Sequence, residues 1–418
     1  MEDSSPARPR EGYPLEPGWG QHRFGNRPLS PVRTDSRTIG CVSEITDVLE
    51  AIELLSARGE KMALATIVAV RGSTYRRPGA RLLVPEDGAP VGNISGGCLE
   101  GDVADMARIV MEEGRARLAG WDLTADDDDV WGLGLGCNGA IEVFIEPADR
   151  AAEVAGALRM ALEEERPISV VTVLESALDA VPSGARVVVK PDGSSEGSLG
   201  DAAVDAAAVA AASELLATQT SEIRTLPGDI RAFVEVLEPP LRLLICGAGH
   251  DAIPLVKAAS ILGWRPIVID DRTGFLTRER YPDAAGFIQV ERPEDAAKMA
   301  EVDERTFVTV MTHNFLRDKE YLRSFLGSNA AYIGMLGPAA RTQRLLMDLA
   351  EEGVTITDED RARIHGPAGL DLGSEGPEEI SGSIIAEIVA VRRGRNGGFL
   401  KARPGPIHDR PRPGAEAR

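Results

Sequence analysis

Long apolar runs are missing from this chain. Nowhere in its 418 residues do apolar side chains continue for the roughly 18 positions a membrane helix needs, so no spanning segment is expected. Cysteine is scarce. Cys41, Cys98, Cys137 and Cys246 are too few and too scattered for a disulfide framework, which predicts free thiols and a cytoplasmic setting. Aromatic residues make up only 4%, which weakens any reading based on stacking against bases or sugars. Positive charge is in deficit: 46 Lys and Arg stand against 66 Asp and Glu, a net charge of −20. Nucleic acid and anionic membranes are therefore not expected as partners, although a local basic loop can still hold a small anion. The opening stretch MEDSSPARPREGYP has no apolar core, so it does not read as a signal peptide.

What remains is ordinary globular material, 43% hydrophobic and 27% charged, enough for two or three cores. The pattern predicts an α/β protein: a duplicated N-terminal α/β domain followed by a C-terminal Rossmann-like, doubly wound parallel sheet. The expected divisions are a disordered Pro-rich arm at 1–40, a cysteine-bearing half-domain at 41–150, a degenerate second half at 151–240, the Rossmann-like domain at 241–395 and a disordered tail at 396–418.

The duplication is read from echoes. Gly79-Ala80-Arg81-Leu82-Leu83-Val84 returns as Gly184-Ala185-Arg186-Val187-Val188-Val189, strand 62–70 corresponds to 168–174, and Ala140–Pro147 returns as Ala232–Pro239. The halves differ where chemistry would sit. Ser95-Gly96-Gly97-Cys98 is matched with Gly197-Ser198-Leu199-Gly200, and the second cysteine loop has no counterpart, so the first half is expected to carry the site.

Three stretches carry chemical meaning. Cys98 follows Ser95-Gly96-Gly97 and opens a helix, where the dipole favours a thiolate, while Cys137 lies in a second loop stripped of side chains, Gly134-Leu135-Gly136-Cys137-Asn138-Gly139. Two glycine-framed cysteines in one half-domain suggest a single site built from two loops. The loop Arg71–Gly79 is cationic and hydroxyl-bearing; Arg71, Ser73 and Arg77 suit a phosphate or another oxyanion. The third stretch, Gly247-Ala248-Gly249-His250-Asp251-Ala252, is a G-x-G-x-x-A turn after an apolar strand, with Asp270-Asp271 ending the next strand. Glycines there allow close phosphate approach, and either acid can hold ribose hydroxyls. His250, His313 and His365 fall at strand ends or loops, as metal ligands, proton donors or structural histidines. No catalytic residue is assigned. Cys246 reads as core.

Taken together these motifs resemble the xanthine dehydrogenase accessory factors, the XdhC/CoxI family. The resemblance runs through Arg71-Gly72-Ser73, Ile94–Glu100 and Gly134–Cys137, then through Gly247–His250, Asp270-Asp271-Arg272, Met311-Thr312-His313 and Arg363-Ile364-His365, and covers roughly 41–395. It implies a molybdenum cofactor chaperone that holds molybdopterin or its cytosine dinucleotide form. Such a protein assists sulfuration with a cysteine desulfurase and passes the cofactor to a molybdenum hydroxylase of the xanthine dehydrogenase type. It also implies Cys98 and Cys137 as contacts to the molybdenum, and a homodimer. The Rossmann-like part would take the pterin, NAD(P) or another nucleotide, through Gly247, Gly249, His250, Asp270, Asp271 and His313. Two other readings stand beside this one: an NAD(P)-dependent oxidoreductase using His250 or His313 as acid, and a redox sensor using a Cys98–Cys137 disulfide.

Overall fold

The computed structural model describes residues 44–72, 74–97, 99–122 and 139–404. The expected arm, Cys41, Ser73, Cys98, Gly136 and Cys137 lie outside these residues; of the expected tail, 396–404 are described, with one 3₁₀ turn at Leu400–Ala402.

The first sheet is built by α1 (Glu44–Arg58), β1 (Met62–Gly72), β2 (Arg81–Pro85), β3 (Val91–Gly92), α2 (Glu100–Glu113), β4 (Arg117–Asp122) and β5 (Gly139–Pro147), with strand order β3-β2-β1-β5-β4. Helix α1 follows from its sequence: Glu44 and Asp47 suit the positive end, Arg58 the negative end, and Val48, Leu49 and Ile52 form the buried stripe. The same order of elements then repeats as α3 (Ala148–Glu164), β6 (Ile168–Glu175), β7 (Arg186–Val189), β8 (Ser195–Ser198), α4 (Ala202–Thr218), β9 (Glu222–Leu226) and β10 (Ile230–Leu237), with strand order β8-β7-β6-β10-β9.

Strand register corrects one of the echoes. Thr66 and Leu64 of β1 face Phe144 and Glu146, while Thr172 and Val170 of β6 face Phe233 and Glu235. Glu146 therefore corresponds to Glu235, not to Glu238, and the echo of 140–147 in 232–239 is slid by three residues. Burial explains the slip: Glu235 is 7% exposed beside Arg81, whereas Glu238 lies on the surface beside Arg392.

The halves meet reciprocally, as two copies do across an isologous interface. Arg81 of the first pairs with Glu235 of the second at 2.5 Å, and Arg186 of the second pairs with Glu146 of the first. All four side chains are below 10% exposure. Val68, Phe144, Leu174 and Phe233 pack between them, and α1 and α3 share one apolar core through Ile52, Val154 and Leu158.

The third sheet is formed by β11 (Arg242–Cys246), α5 (Ala252–Ile261), β12 (Arg265–Asp270), β13 (Gly286–Gln289), α6 (Ala296–Met299), β14 (Thr306–Val310), α7 (Phe315–Leu326), β15 (Tyr332–Met335), α8 (Ala339–Glu351), α9 (Asp358–Arg363), β16 (Ile364–His365) and α10 (Pro377–Arg392). Its strands are parallel in the order β13-β12-β11-β14-β15-β16, the doubly wound pattern that reverses beside β11. Central strand β14 is buried along its whole length, as a sheet covered on both faces requires. Cys246 is fully buried in this core, and desolvation pushes its thiol pKa up, so it is a packing residue. Among the described residues no helix is long and apolar enough to cross a membrane.

Candidate functional site

Of the predicted first-half site residues, Arg71, Arg77, Gly96 and Gly97 are described, and they lie at the end of β1 and in the loops that follow β1 and β3. In α2 and α4 the buried faces superpose Val103, Ala107 and Val110 on Ala208, Ala212 and Leu215, while the buried Ile94 and Leu99 correspond to Leu199 and Val204 after the turn glycines Gly92 and Gly197. Between those fixed points the two halves have equal numbers of residues, so Ser95-Gly96-Gly97-Cys98 stands where the second half has Gly200-Asp201-Ala202-Ala203. This moves the match from 197–200 to 200–203: the motif is a replacement, three residues further along than the sequence echo placed it. One insertion follows. Strands β9 and β10 are joined by Pro227-Gly228-Asp229, whereas β4 and β5 are joined by the long stretch 123–138, which contains Gly136 and Cys137.

Glu100 organises the Ser95–Leu99 turn, as Asp205 accepts the Leu199 amide at the equivalent place in the second half. The Glu100 carboxylate accepts the amides of Ile94 (3.3 Å), Ser95 (2.9 Å), Gly97 (2.9 Å) and Leu99 (3.2 Å), together with the Ser95 hydroxyl. Burial favours the neutral acid, but the hydrogen bonds from Ser95 and Ile94 outweigh it and hold Glu100 below its ordinary pKa. Gly96 and Gly97 sit at φ +80° and +110°, which suits residues without a Cβ. At Gly97 a Cβ would meet nothing within 4 Å; at Gly96 it would rest in ordinary van der Waals contact with the Tyr75 ring at 3.5 Å. The loop Arg71–Ala80 and the Ser95–Gly97 turn therefore touch. Arg76 of that loop is tied to Glu44, which also accepts the Asn93 amide at 3.1 Å. Arg71 and Arg77 are exposed, and neither has a side-chain partner among the described residues. Arg71 and Gly72 pair in register with Ala140 and Gly139, so β5 begins beside the root of the arginine loop.

The remaining predicted residues collect at the carboxyl ends of the third sheet. Gly247, at φ +115°, needs to be glycine because a Cβ would sit 2.8 Å from the Met311 carbonyl oxygen. The reason is packing against the chain leaving β14, not phosphate approach. Gly249 has open space, its carbonyl accepting the Tyr281 hydroxyl at 2.8 Å, and His250 is exposed. Asp270 is not open to a ribose. It accepts the Ala248 amide at 2.6 Å and the amide, Nε and Nη2 of Arg272, each at 2.8 Å. Burial opposes its charge, yet Arg272 and the Ala248 amide bring its pKa down to about 2. Asp271 is paired with Arg317 at 2.7 Å. His313, in the left-handed region at φ +57°, places Nε2 2.8 Å from Asp251. His365 stacks on Tyr332 and shares Glu387 with it: Nδ1 lies 3.0 Å from one carboxylate oxygen and the Tyr332 hydroxyl donates to the other at 2.6 Å. That network also holds the Gly369 amide at 2.8 Å, so His365 has a structural role.

Sequence reasoning assigned no role to Glu100, Tyr75, Asp251 or Arg341. Glu100 alone left a usable signal, an acid in the first helical turn after a Ser-Gly-Gly run. Among the described residues no cluster of three or more His, Cys, Asp or Glu could hold a metal ion.

Comparison with known proteins follows the three sheets. The family model described as the XdhC and CoxI family matches residues 55–122 and again 161–227, and the model described as the XdhC Rossmann domain matches 243–388. Both N-terminal matches begin seven residues before the first strand of their half. A Bacillus subtilis protein named as a probable xanthine dehydrogenase subunit is 31% identical over 80% of this chain and 94% of its own length. An Escherichia coli protein named molybdenum cofactor insertion chaperone PaoD is 24% identical over 82% of this chain and 86% of its own. Among solved structures, one described as a xanthine dehydrogenase from Bacillus halodurans is 30% identical, with a TM-score of 0.67 over 86% of this chain and 98% of that one.

Proposed function

Since the chain belongs to the XdhC and CoxI family, we propose that it is an accessory factor in molybdenum cofactor maturation, working at the loop edge of its first sheet. In this reading it binds the cofactor, protects it during sulfuration by a cysteine desulfurase, and delivers it to a molybdenum hydroxylase of the xanthine dehydrogenase type. It would do so in the cytoplasm, as a homodimer.

The observation that carries the reading is an asymmetry. One fold is used twice, and only the first half carries the glycine-framed cysteines: Cys98 in a Ser-Gly-Gly-Cys run where the second half has Gly200-Asp201-Ala202-Ala203, and Cys137 in the added stretch 123–138. Loop changes that leave the scaffold unchanged are where a fold acquires function.

The donor set fits a molybdopterin. Arg71 and Arg77 are guanidinium groups without side-chain partners among the described residues, suited to the phosphate. The open backbone at Gly97 gives a flat ligand room, and soft thiols at Cys98 and Cys137 suit the metal. When bound, the cofactor supplies a sulfur-ligated molybdenum; the chain's own part is to hold the phosphate, shield the metal and release both. Ser73 and Gly136 stand with these residues in the proposed site.

Anaerobic titration with molybdenum cofactor tests the proposal. Wild type should retain cofactor, Cys137→Ala should lose it, and Arg71→Ala with Arg77→Ala should weaken it at least tenfold. Equal retention by wild type and Cys137→Ala, or none by wild type, overturns it.

A further inference from the structure

The turn at Gly247–Asp251 has the spacing of a dinucleotide site, but the groups that would anchor an adenosine ribose are occupied. Both Asp270 oxygens are used by Arg272 and by the Ala248 amide, and that amide is one of those the turn would otherwise offer a pyrophosphate. A dinucleotide in the usual register would have to break a buried, multiply bonded carboxylate away from its guanidinium.

Open space lies on the other side of the topological switch point, over the ends of β14, β15 and β16. A cleft of about 530 Å³ is bordered there by Asp251, His313, Gly337, Pro338, Arg341 and Pro367. That volume falls in the range of small-ligand sites. Its cationic wall is fixed: Arg341 is held at 2.6 Å by Asp318, a side chain only 2% exposed that also accepts the Thr312 amide and hydroxyl. Helix α8 begins in the same wall. Pro338 gives it no side-chain cap, and Ala339 and Ala340 carry no oxygen that could supply one, so the first amides of a 13-residue helix face no competing acceptor from their own turn. Across the cleft stands the Asp251–His313 pair, an acceptor beside a group that accepts or donates by tautomer.

We infer that this cleft binds a terminal phosphoryl group, its oxygens on Arg341 and the first turn of α8 and any nucleoside it carries against Asp251 and His313, and that the third sheet does not bind a dinucleotide. The ligand would be inorganic phosphate or a nucleoside monophosphate, which share the same anchor. This inference is independent of the cofactor site in the first half.

Calorimetric titration of the full chain with inorganic phosphate, AMP, CMP and NAD decides it. A monophosphate should bind more tightly than NAD and be displaced by excess inorganic phosphate. Arg341→Met should weaken it at least tenfold. Ala339→Asp should do the same by placing a carboxylate on the helix amides, and an acid in a first turn does not harm folding. Arg272→Ala should leave monophosphate binding unchanged. Tighter binding of NAD, indifference to Ala339→Asp, failure of phosphate to compete, or no binding of any of the four overturns the inference. If inorganic phosphate alone binds, with the same response to both variants, the anion site stands and the nucleoside is excluded.

Discussion

Glu100 shows what one carboxylate can do in a loop without side chains. It takes hydrogen bonds from both sides of the Ser95–Leu99 turn, where glycines at positive φ provide no packing of their own. Glu100→Ala should therefore cost about 1–3 kcal/mol, measured by chemical denaturation, and speed hydrogen exchange at the Ser95 and Gly97 amides. Because the folded pKa lies below the unfolded value near 4.5, the contribution is complete above that value and is lost as pH falls through the folded one. Asp270 behaves the same way lower on the scale. Its folded value is about 2 against an ordinary 3.8, so its stabilisation is present above about pH 4 and disappears toward pH 2. The stability gap between wild type and Asp270→Asn should be constant at neutral pH and close over that acid interval. A constant gap down to pH 2 would show that Arg272 does not hold the charge.

At the scale of elements, the reciprocal ion pairs are what fix one half of the duplicated fold against the other. Arg81→Met leaves Glu235 buried and unpaired, and should destabilise the chain by about 3–5 kcal/mol. Adding Glu235→Leu should recover most of that loss, and the same cycle at Arg186 and Glu146 should behave alike because the positions are equivalent. Additive losses in both cycles would mean that the pairs are not coupled. These contacts also mark the limit of legibility. The third sheet could be read because buried parallel strands such as Leu243–Cys246 and Thr306–Val310 are near-continuous apolar runs. Edge strands of two to four residues, β3, β8 and β16, have no period to detect, and β4 mixes polar and apolar residues without alternation. The repeat was visible but slid, since Glu235 and Glu238 look alike until one of them is buried. The motif Ser95–Cys98 was visible as chemistry but was matched three residues too early, because only the helix faces of α2 and α4 set the alignment. Asp270 stood at the expected spacing, and nothing in the spacing reveals that Arg272 folds back onto it.

On the scale of the whole molecule, burial separates into two systems. The clusters around Ile52 and Phe144 use residues from both halves of the N-terminal body, those around Ile67 and Ala208 are each confined to one half, and those around Leu255 and Phe325 lie entirely within the third sheet and its helices. Between the two systems the ion pairs among the described residues are polar and partly exposed: Arg392 with Glu238, and Arg242 and Arg265 with Glu165. Such pairs contribute little, roughly 0–1 kcal/mol each. Apolar sharing is thus strong between the two halves and weak between them and the third sheet, which sets how the chain can be divided. A fragment of residues 241–404 should fold alone, with cooperative thermal unfolding and near-ultraviolet dichroism from its buried tyrosines. Residues 44–240 should also fold. Residues 44–147 should not, because without α3 and β6 the stripe of Val48, Leu49 and Ile52 and the face of Phe144 are left open to water. Adding 148–240 as a second chain should restore a cooperative transition. If 44–147 instead unfolds cooperatively as a monomer, the half's own cluster around Ile67 and Val103 suffices and the shared face and reciprocal pairs are secondary to it.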